Sequence, residues 1–355
     1  MKLSKILLLG MGLFLAGCLN QLQTETSTPD PTEVRIAFYN VENLFDTEDD
    51  PYRLDEAFLP TSDKKWDNTR YADKVDKLAK VVAELNYPAL LGLAEVENEA
   101  VLRRLIEHAD LTEADYDLVH YDSPDVRGID VALLYRTALF TPESSQAIPV
   151  TFPDDNYQSR DILLVSGVLG KDAHHNTVHV LVNHWPSRRG GVKQSEPRRL
   201  TAAQAARATV DELLETDPSA NIILLGDFND EPTNRSITEG LRATGSVRKK
   251  DPSQLYNTVA ALDEQGRGSY QFRGNWNMLD QIILSQGLVK DARVANDYHY
   301  RLESATVFAP EWLLQAEGKY QGYPDRTYAG DKYLGGYSDH LPVYIELTNE
   351  DDTVF

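Results

Sequence analysis

The chain has one cysteine, Cys18, in 355 residues, so no disulfide can form within it. It has no excess of base. Its 35 Lys and Arg stand against 56 Asp and Glu, a formal net charge of −21. A body this acidic repels polyanions at long range, which argues against tight, non-specific duplex binding through a broad basic face. Phosphodiester chemistry stays open, because a metal ion inverts the local sign at a site. Past the N-terminus there is no apolar run of about twenty residues, so no later membrane span is expected. Internal repeats and a second long linker are absent too. The chain does have 41% hydrophobic residues, enough for a sizeable core in one large domain or two ordinary ones.

The N-terminus reads as an export signal. Lys2 and Lys5 precede the apolar run Ile6 to Ala16, and Gly17-Cys18 follows. This is a basic n-region, an h-region and a small-residue cleavage site. Leu15-Ala16-Gly17-Cys18 resembles the bacterial lipobox, whose cysteine is lipidated and becomes the mature N-terminus. Residues 1–17 are therefore expected to be a lipoprotein signal peptide and 18–32, rich in Gln, Thr, Ser and Pro, a flexible tether. Residues 33–349 would form the main folded domain and 350–355 an acidic tail. The expected product is an exported, monomeric protein anchored to a membrane through Cys18. Leu19 lacks the aspartate of the familiar inner-membrane retention signal, which favours the outer membrane or cell surface.

Several strand-like runs are nearly continuous in apolar residues, among them Ala89–Ala94, Val131–Tyr135, Val178–Val182, Ile222–Leu225 and Gln281–Leu284. Such runs have both faces covered. Leu78, Val81, Val82 and Leu85 fall at i, i+3, i+4 and i+7, which predicts a helix over about Tyr71 to Leu85. A second helix is expected over about Ser195 to Glu215, with Ser195 as its N-cap. Strands and helices in this order describe one α/β layered domain. Two long irregular segments remain, the acidic Asp46–Asn68 and the tyrosine-rich Asn296–Gly336. Long loops in compact domains are usually functional or disordered, and the aromatic content of the second suits a substrate-facing role.

The chemistry gathers where the strand-like runs end. Ile222 to Leu225 stops at Gly226, then offers Asp227 and Asn229 two residues apart, on one side of an extended chain. A small residue at 226 would let a substrate approach. Asn40 and Glu42 follow another run, Glu95 a third, and Asn183 and His184 a fourth; Asp280 and the pair Asp339–His340 stand just before two more. Taken singly, each is an ordinary cap or edge residue. Together they place carboxylates, amides and two histidines at strand ends, where α/β folds gather ligands.

The motifs Tyr39-Asn40-Val41-Glu42-Asn43-Leu44, Leu93-Ala94-Glu95-Val96, Gly128-Ile129-Asp130-Val131-Ala132, Val182-Asn183-His184-Trp185-Pro186-Ser187, Gly226-Asp227-Phe228-Asn229, Leu279-Asp280-Gln281-Ile282 and Tyr337-Ser338-Asp339-His340-Leu341-Pro342 resemble the endonuclease/exonuclease/phosphatase superfamily. Its members include pancreatic-type deoxyribonucleases, apurinic/apyrimidinic endonucleases, inositol-polyphosphate phosphatases and bacterial sphingomyelinases. Asn183 to Gly191 is most similar to predicted bacterial extracellular nucleases.

The resemblance implies a four-layer α/β sandwich of two packed mixed sheets flanked by helices, and phosphoester hydrolysis assisted by Mg²⁺ (or Mn²⁺ or Ca²⁺). It implies that Glu95, with Asn40, Glu42 and Asp280, holds the metal. Asp227 would position or deprotonate water, and Asn229 would orient it or hold phosphate. His340 would stabilise the transition state, steered by Asp339, while His184 would contact phosphate or the leaving group, oriented by Asp130.

Asn183, Arg188 and Arg199 are the expected substrate contacts. Arg198 and Arg199 oppose the dipole in the first turn of the predicted helix, so they need a compensating anion, either phosphate or a surface carboxylate. The expected substrate is DNA or RNA, with tyrosines of the late loop stacking exposed bases. The alternatives are a sphingomyelinase-like phospholipase or a phosphatase on the same fold, and a non-catalytic binding lipoprotein.

Overall fold

A computed structural model describes residues 32–154, 156–170, 176–246, 251, 253–289 and 298–349. The expected signal peptide, Cys18, nearly all of the tether and the acidic tail lie outside the described residues.

The strands are β1 (Glu33–Leu44), β2 (Leu90–Val96), β3 (Tyr116–His120), β4 (Asp130–Arg136), β5 (Phe140–Ile148), β6 (Ile162–Leu169), β7 (Asn176–His184), β8 (Asn221–Asp227), β9 (Ala243–Thr244) and β10 (Leu255–Asn257). They continue with β11 (Tyr270–Phe272), β12 (Asn275–Asn277), β13 (Asp280–Leu284), β14 (His299–Tyr300), β15 (Thr306–Val307), β16 (Tyr328–Ala329), β17 (Lys332–Tyr333) and β18 (Val343–Thr348). Four α-helices accompany them among the described residues: α1 (Asn68–Glu84), α2 (Glu99–Ile106), α3 (Val192–Thr216) and α4 (Ala260–Glu264).

One mixed sheet runs β14-β18-β1-β2-β4-β3, with β15 also pairing with β18, and the other runs β5-β6-β7-β8-β13-β10-β9. Two-residue periodicity explains why the strands are apolar throughout. Val34, Ile36 and Phe38 of β1, Val178, Val180 and Val182 of β7, and Ile223 and Leu225 of β8 fill the space between the sheets. The alternate residues Ala37 and Tyr39 pack outward with Leu78 and Val82 of α1 and Leu102 of α2. Likewise Ile222 and Leu224 pack with Ala202, Ala203, Ala206 and Val210 of α3. The result is the expected helix–sheet–sheet–helix sandwich. Gly92 sits at the inter-sheet contact, where an added Cβ would fall 2.1 Å from Leu225 Cδ1.

Both helices begin earlier than expected. The α1 helix opens at Asn68 because the Asp67 side chain accepts the Thr69 and Arg70 amides. The α3 helix opens at Val192 after Gly191, whose φ of 119° suits glycine. Ser195 is consequently not a cap. Its hydroxyl donates to Gly191 O at 2.7 Å and accepts from Arg199 Nη1 at 2.7 Å.

Candidate active site

Parallel pairs sit at the heart of each sheet, β1 with β2 and β7 with β8. Their C-terminal ends meet at one edge of the sandwich. The inter-sheet stripe of β1 runs 34, 36, 38 and ends in Asn40; that of β7 runs 178, 180, 182 and ends in His184; that of β8 runs 223, 225 and ends in Asp227. The antiparallel strand β13 starts at this edge, pairing Asp280 with Asp227. Strand alternation therefore aims four polar side chains into one place.

Glu95 reaches the same place through an irregularity. The β2–β4 register shifts between Ala94 and Val96, and Glu95 has φ 64°. Glu42 and Asn229 are also left-handed, at φ 51° and 50°. Positive φ at non-glycine residues costs stability and concentrates at functional sites.

Asn40 Nδ2 donates to Asp227 Oδ2 at 3.1 Å and to Glu95 Oε1 at 3.5 Å. The Asn43 amide donates to Glu95 Oε2 at 3.1 Å. His184 Nε2 lies 3.6 Å from Asp227 Oδ2 and 3.9 Å from Glu95 Oε1. From the other side, His340 Nε2 lies 3.9 Å from Asp227 Oδ2, and His340 Nδ1 bonds Asp280 Oδ2 at 2.7 Å. Asp227 thus stands between two imidazoles.

Their electrostatics differ. Burial and the nearby Arg160 push His184 well below the ordinary histidine value, so it is neutral. Burial would also lower His340, but Asp280 and Asp227 hold it well above its ordinary value, so it is cationic. Burial, reinforced by Asp280 and opposed by His340, pushes Asp227 up to about 7.

Several expected roles are corrected by this geometry. Asp339 does not hydrogen-bond His340, although its charge helps keep that ring cationic; it accepts Arg326 Nη2 at 2.7 Å, and Asp280 is the hydrogen-bond partner of His340. Asp130 does not orient His184. It shares the strand face of Ala132 and Leu134, which pack outward, and meets His120 Nε2 at 3.1 Å and the Ser123 amide at 2.9 Å.

Asn183 has the parity of Leu181, which packs toward α3, so it faces away from the site. It is fully buried, donating to Leu181 O at 2.9 Å and accepting Trp185 Nε1 at 3.1 Å. Gly226 answers to that same neighbour, since an added Cβ would fall 2.3 Å from Asn183 O.

Arg199 is fully buried and ion-paired with Asp230 at 2.7 Å, so it does not reach substrate. Arg198 pairs with Asp154 at 3.3 Å and covers the Tyr157 ring. The carboxylate alternative therefore accounts for both helix arginines.

Arg188 spends its guanidinium on Asn229 O at 2.7 Å, Asn277 Oδ1 at 2.9 Å and Asn234 Oδ1 at 3.1 Å. It fastens the Asn229 turn rather than holding a phosphate. Asn229 Nδ2 in turn donates to Trp185 O at 3.0 Å, and its amide donates to Asp227 Oδ1 at 2.9 Å.

Glu42 stands apart from Glu95. It accepts the Thr327 amide at 2.7 Å and lies 3.5 Å from Arg326. Burial and Asp339 push Glu42 up to about 7, against Lys74 and Arg326. Lys74 on α1 is buried, donating to Thr327 Oγ1 at 2.7 Å and Tyr337 O at 2.5 Å, and burial lowers it to about 8.

Lys74, Arg160 and Arg326 were not singled out from the sequence. Lys74 did carry a signal, because it lies four residues before Leu78 on the apolar stripe of α1. Arg160 binds His184 O at 3.1 Å, Trp185 O at 2.8 Å and Asp125 at 2.8 Å; it lies in an irregular stretch that offers no periodicity to read.

The late loop is largely packed. Tyr328 meets Trp66 and Tyr333, Tyr333 bonds Asp73 at 2.6 Å, and Trp312 packs on Tyr337. A better-placed aromatic is Phe272, 52% exposed on the hairpin β11–β12. Its two-residue turn, Arg273-Gly274, has positive φ throughout, as a type I′ turn requires. Tyr270 of that hairpin stacks at 4.8 Å on His340.

The oxygen donors suit a hard divalent cation. Among the described residues no Lys or Arg ion-pairs with Glu95, although its charge reaches Lys74; its contacts are Asn40, Asn43 and neutral His184. Asp280 keeps a buried oxygen, Oδ1, with no hydrogen-bond partner. Asp227, Asp280 and His340 offer ligand atoms within 4.8 Å of one another, but the His340–Asp280 bond commits that pair to each other. Glu95 and Asn40, with Asp227 adjacent, are the set that fits the ion.

The family model described as Endonuclease/Exonuclease/phosphatase family matches residues 35–349, and the chain belongs to that family. It is a metal-dependent phosphoric-ester hydrolase. No curated protein matches it by sequence. Among solved structures it resembles D. rerio TDP2 complexed with a single-strand DNA product, at 15% identity and TM-score 0.54, covering 89% of this chain and 99% of that one. The human Nocturnin catalytic domain with bound sulfate is 16% identical, TM-score 0.54, over 90% and 95% of the two chains. A Bacteroides thetaiotaomicron mannosyl-6-phosphatase is 16% identical, TM-score 0.52, over 89% and 99%. At this identity the likenesses speak for the fold.

Proposed function

We propose that this chain is an exported, lipid-anchored phosphodiesterase that hydrolyses nucleic acid. One observation carries the chemistry: Asp227 lies between a neutral His184 and a cationic His340. A carboxylate between two imidazoles of unlike charge can take a proton on one face of a phosphate while positive charge waits on the other.

In this reading, Asp227 orients the attacking water and receives its proton as the new P–O bond forms. His340, held by Asp280, donates a hydrogen bond to a non-bridging oxygen as negative charge grows there. His184 faces the ester oxygen that departs, which leaves as an oxyanion and takes its proton from solvent water. Glu95 and Asn40 would hold a divalent cation such as Mg²⁺, which would supply Lewis-acid neutralisation of the phosphate charge. Asn229 and Arg188 keep the Asp227 turn in register.

Nucleic acid is favoured by Phe272, an exposed ring on the hairpin whose Tyr270 lies against His340, because any base can stack on it. The DNA product bound by the TDP2 relative agrees with that choice. Export and anchoring rest on the residues around Cys18.

The rival is a phosphomonoesterase. It draws on a cavity of about 230 Å³ beside Glu42, lined by Lys64 and Arg326, which is small and polar enough for a phosphosugar. A panel of single-stranded DNA, duplex DNA, RNA, sphingomyelin and a phosphosugar, each with and without EDTA, separates the readings. Cleavage of single strands, abolished by EDTA and weakened by Phe272→Ala, is the expected result. Turnover confined to the phosphosugar would replace the proposal with the rival.

A further inference from the structure

A second cavity, of about 440 Å³, takes no part in the chemistry above. Its lining includes Phe152, Pro153, Asp154, Arg189, Gln194 and Arg198. That volume falls within the range of small-molecule sites. The cavity lies on the His184 flank of the active site. The β7 strand ends at His184, and Arg189 follows five residues later, so their Cα atoms are at most about 18 Å apart. From the other wall, Arg160 donates to His184 O at 3.1 Å and Trp185 O at 2.8 Å. Tyr157, three residues before Arg160, carries the Arg198 guanidinium 3.6 Å over its ring.

Asp154, Arg189 and Arg198 are the charged groups of that lining. Arg198 is already spent on Asp154 at 3.3 Å, and the Tyr157 ring beneath it meets Phe152 edge-on at 4.9 Å. Arg189 is different. The Gly191 amide donates to Arg188 O at 2.9 Å, closing a turn whose third residue, Gly190, has φ 86°. Arg189 is the exposed second residue of this turn. The turn is fixed on one side by the grip of Arg188 on Asn229 O and on the other by the start of α3. Among the described residues the Arg189 side chain forms no ion pair or hydrogen bond; only its backbone amide is engaged, with Ser187 Oγ at 3.4 Å. The cavity therefore keeps one uncompensated positive charge in a chain of net charge −21.

We propose that this cavity is a nucleotide subsite in which Arg189 binds the phosphate. A guanidinium fork takes two phosphate oxygens at once. The base lies against the wall of Phe152, Pro153 and the Arg198–Tyr157 stack, a surface that accepts any base. Gln194, exposed at the rim, offers both a donor and an acceptor to the base edge. The position of this nucleotide on a strand rests on the nucleic-acid reading above. With the scissile phosphate at Asp227, the subsite takes a nucleotide a few positions into the leaving group, on the His184 side. The hairpin that carries Phe272 lies against His340 on the opposite side. The strand is thus gripped on both flanks of the bond that breaks.

The test pairs a binding measurement with a kinetic one on the full chain in Mg²⁺. Deoxyadenosine 5′-monophosphate is titrated by calorimetry, and cleavage of a labelled DNA single strand of about ten nucleotides is followed for KM and kcat. Arg189→Ala should weaken the monophosphate about tenfold and raise the strand's KM about tenfold, with kcat held. Arg189→Lys, which keeps the charge and loses the fork, should recover part of both losses. Monophosphate affinity and strand KM both unchanged in Arg189→Ala would overturn the proposal while leaving the nucleic-acid reading in place. A fall in kcat with KM unchanged would overturn it too, since Arg189 would then act on the chemistry. Arg189-dependent monophosphate binding by a chain that cleaves no strand would keep the subsite and remove the nucleic-acid reading. A wild type that neither binds the monophosphate nor cleaves the strand would overturn both.

Discussion

Two groups of carboxylates lie along this edge of the sandwich, one buried and one mostly half-buried, and they are satisfied in opposite ways. Asp227 and Asp280 share their space with imidazoles, so their charge is balanced by groups that exchange protons. Among the described residues, Asp46, Asp50, Asp55 and Glu97 accept their hydrogen bonds from amide nitrogens. The first arrangement suits turnover, and the second fastens the loop 46–55 to the end of β2 and to itself. A third pattern, Arg199 with Asp230, balances buried charge permanently and serves the fold.

Substitutions sort these patterns by what they remove. His340→Ala should cost the most, about 10²–10⁴-fold in kcat, measured on any cleaved phosphodiester, with a far-UV spectrum like that of the wild type. Arg199→Ala should instead cost about 3–5 kcal/mol in denaturant unfolding, because it leaves the Asp230 carboxylate buried without its main cation. Its KM, per folded molecule, should be unchanged; a raised KM would return Arg199 to the substrate.

Asp280→Asn should lower kcat by about 10²-fold and also change the pH profile. Activity that needs cationic His340 falls as pH rises through the folded value, which Asp280 helps hold well above the ordinary one. Removing that charge lowers the value, so the alkaline limb should move to lower pH. An unmoved limb would assign it to another group. Arg198→Ala should have the smallest effect, about 0–1 kcal/mol, since its partner Asp154 is exposed.

The sequence was most legible where alternation governs. Apolar runs with both faces buried implied the layered sandwich, and residues at their ends implied the site edge, as Asn40, His184 and Asp227 show. The same alternation could have excluded Asn183, because neighbours on a strand face opposite ways. Helical spacing could likewise have placed Arg199 on the Ala202–Ala206 face of α3.

The partnerships of His340 and Glu95 were harder to read. Asp339 is adjacent to His340 in sequence, but strand pairing between β8 and β13 delivers Asp280 from sixty residues away. Glu95 reaches the site only through a register shift and a left-handed backbone, features that periodicity does not carry. Arg326 comes from an irregular loop, and its contacts with Glu42 and Asp339 exist only in the folded chain.

The central claim is that Asp227 between two unlike histidines performs phosphoester hydrolysis. Single-turnover cleavage of a labelled DNA single strand in Mg²⁺ by wild type and Asp227→Asn tests it most directly. The substitution keeps the side chain's shape and removes its ability to take a proton. A loss of about 10²–10⁴-fold in the chemical step, with strand binding retained, is the predicted result. Undiminished cleavage by the folded variant would contradict it.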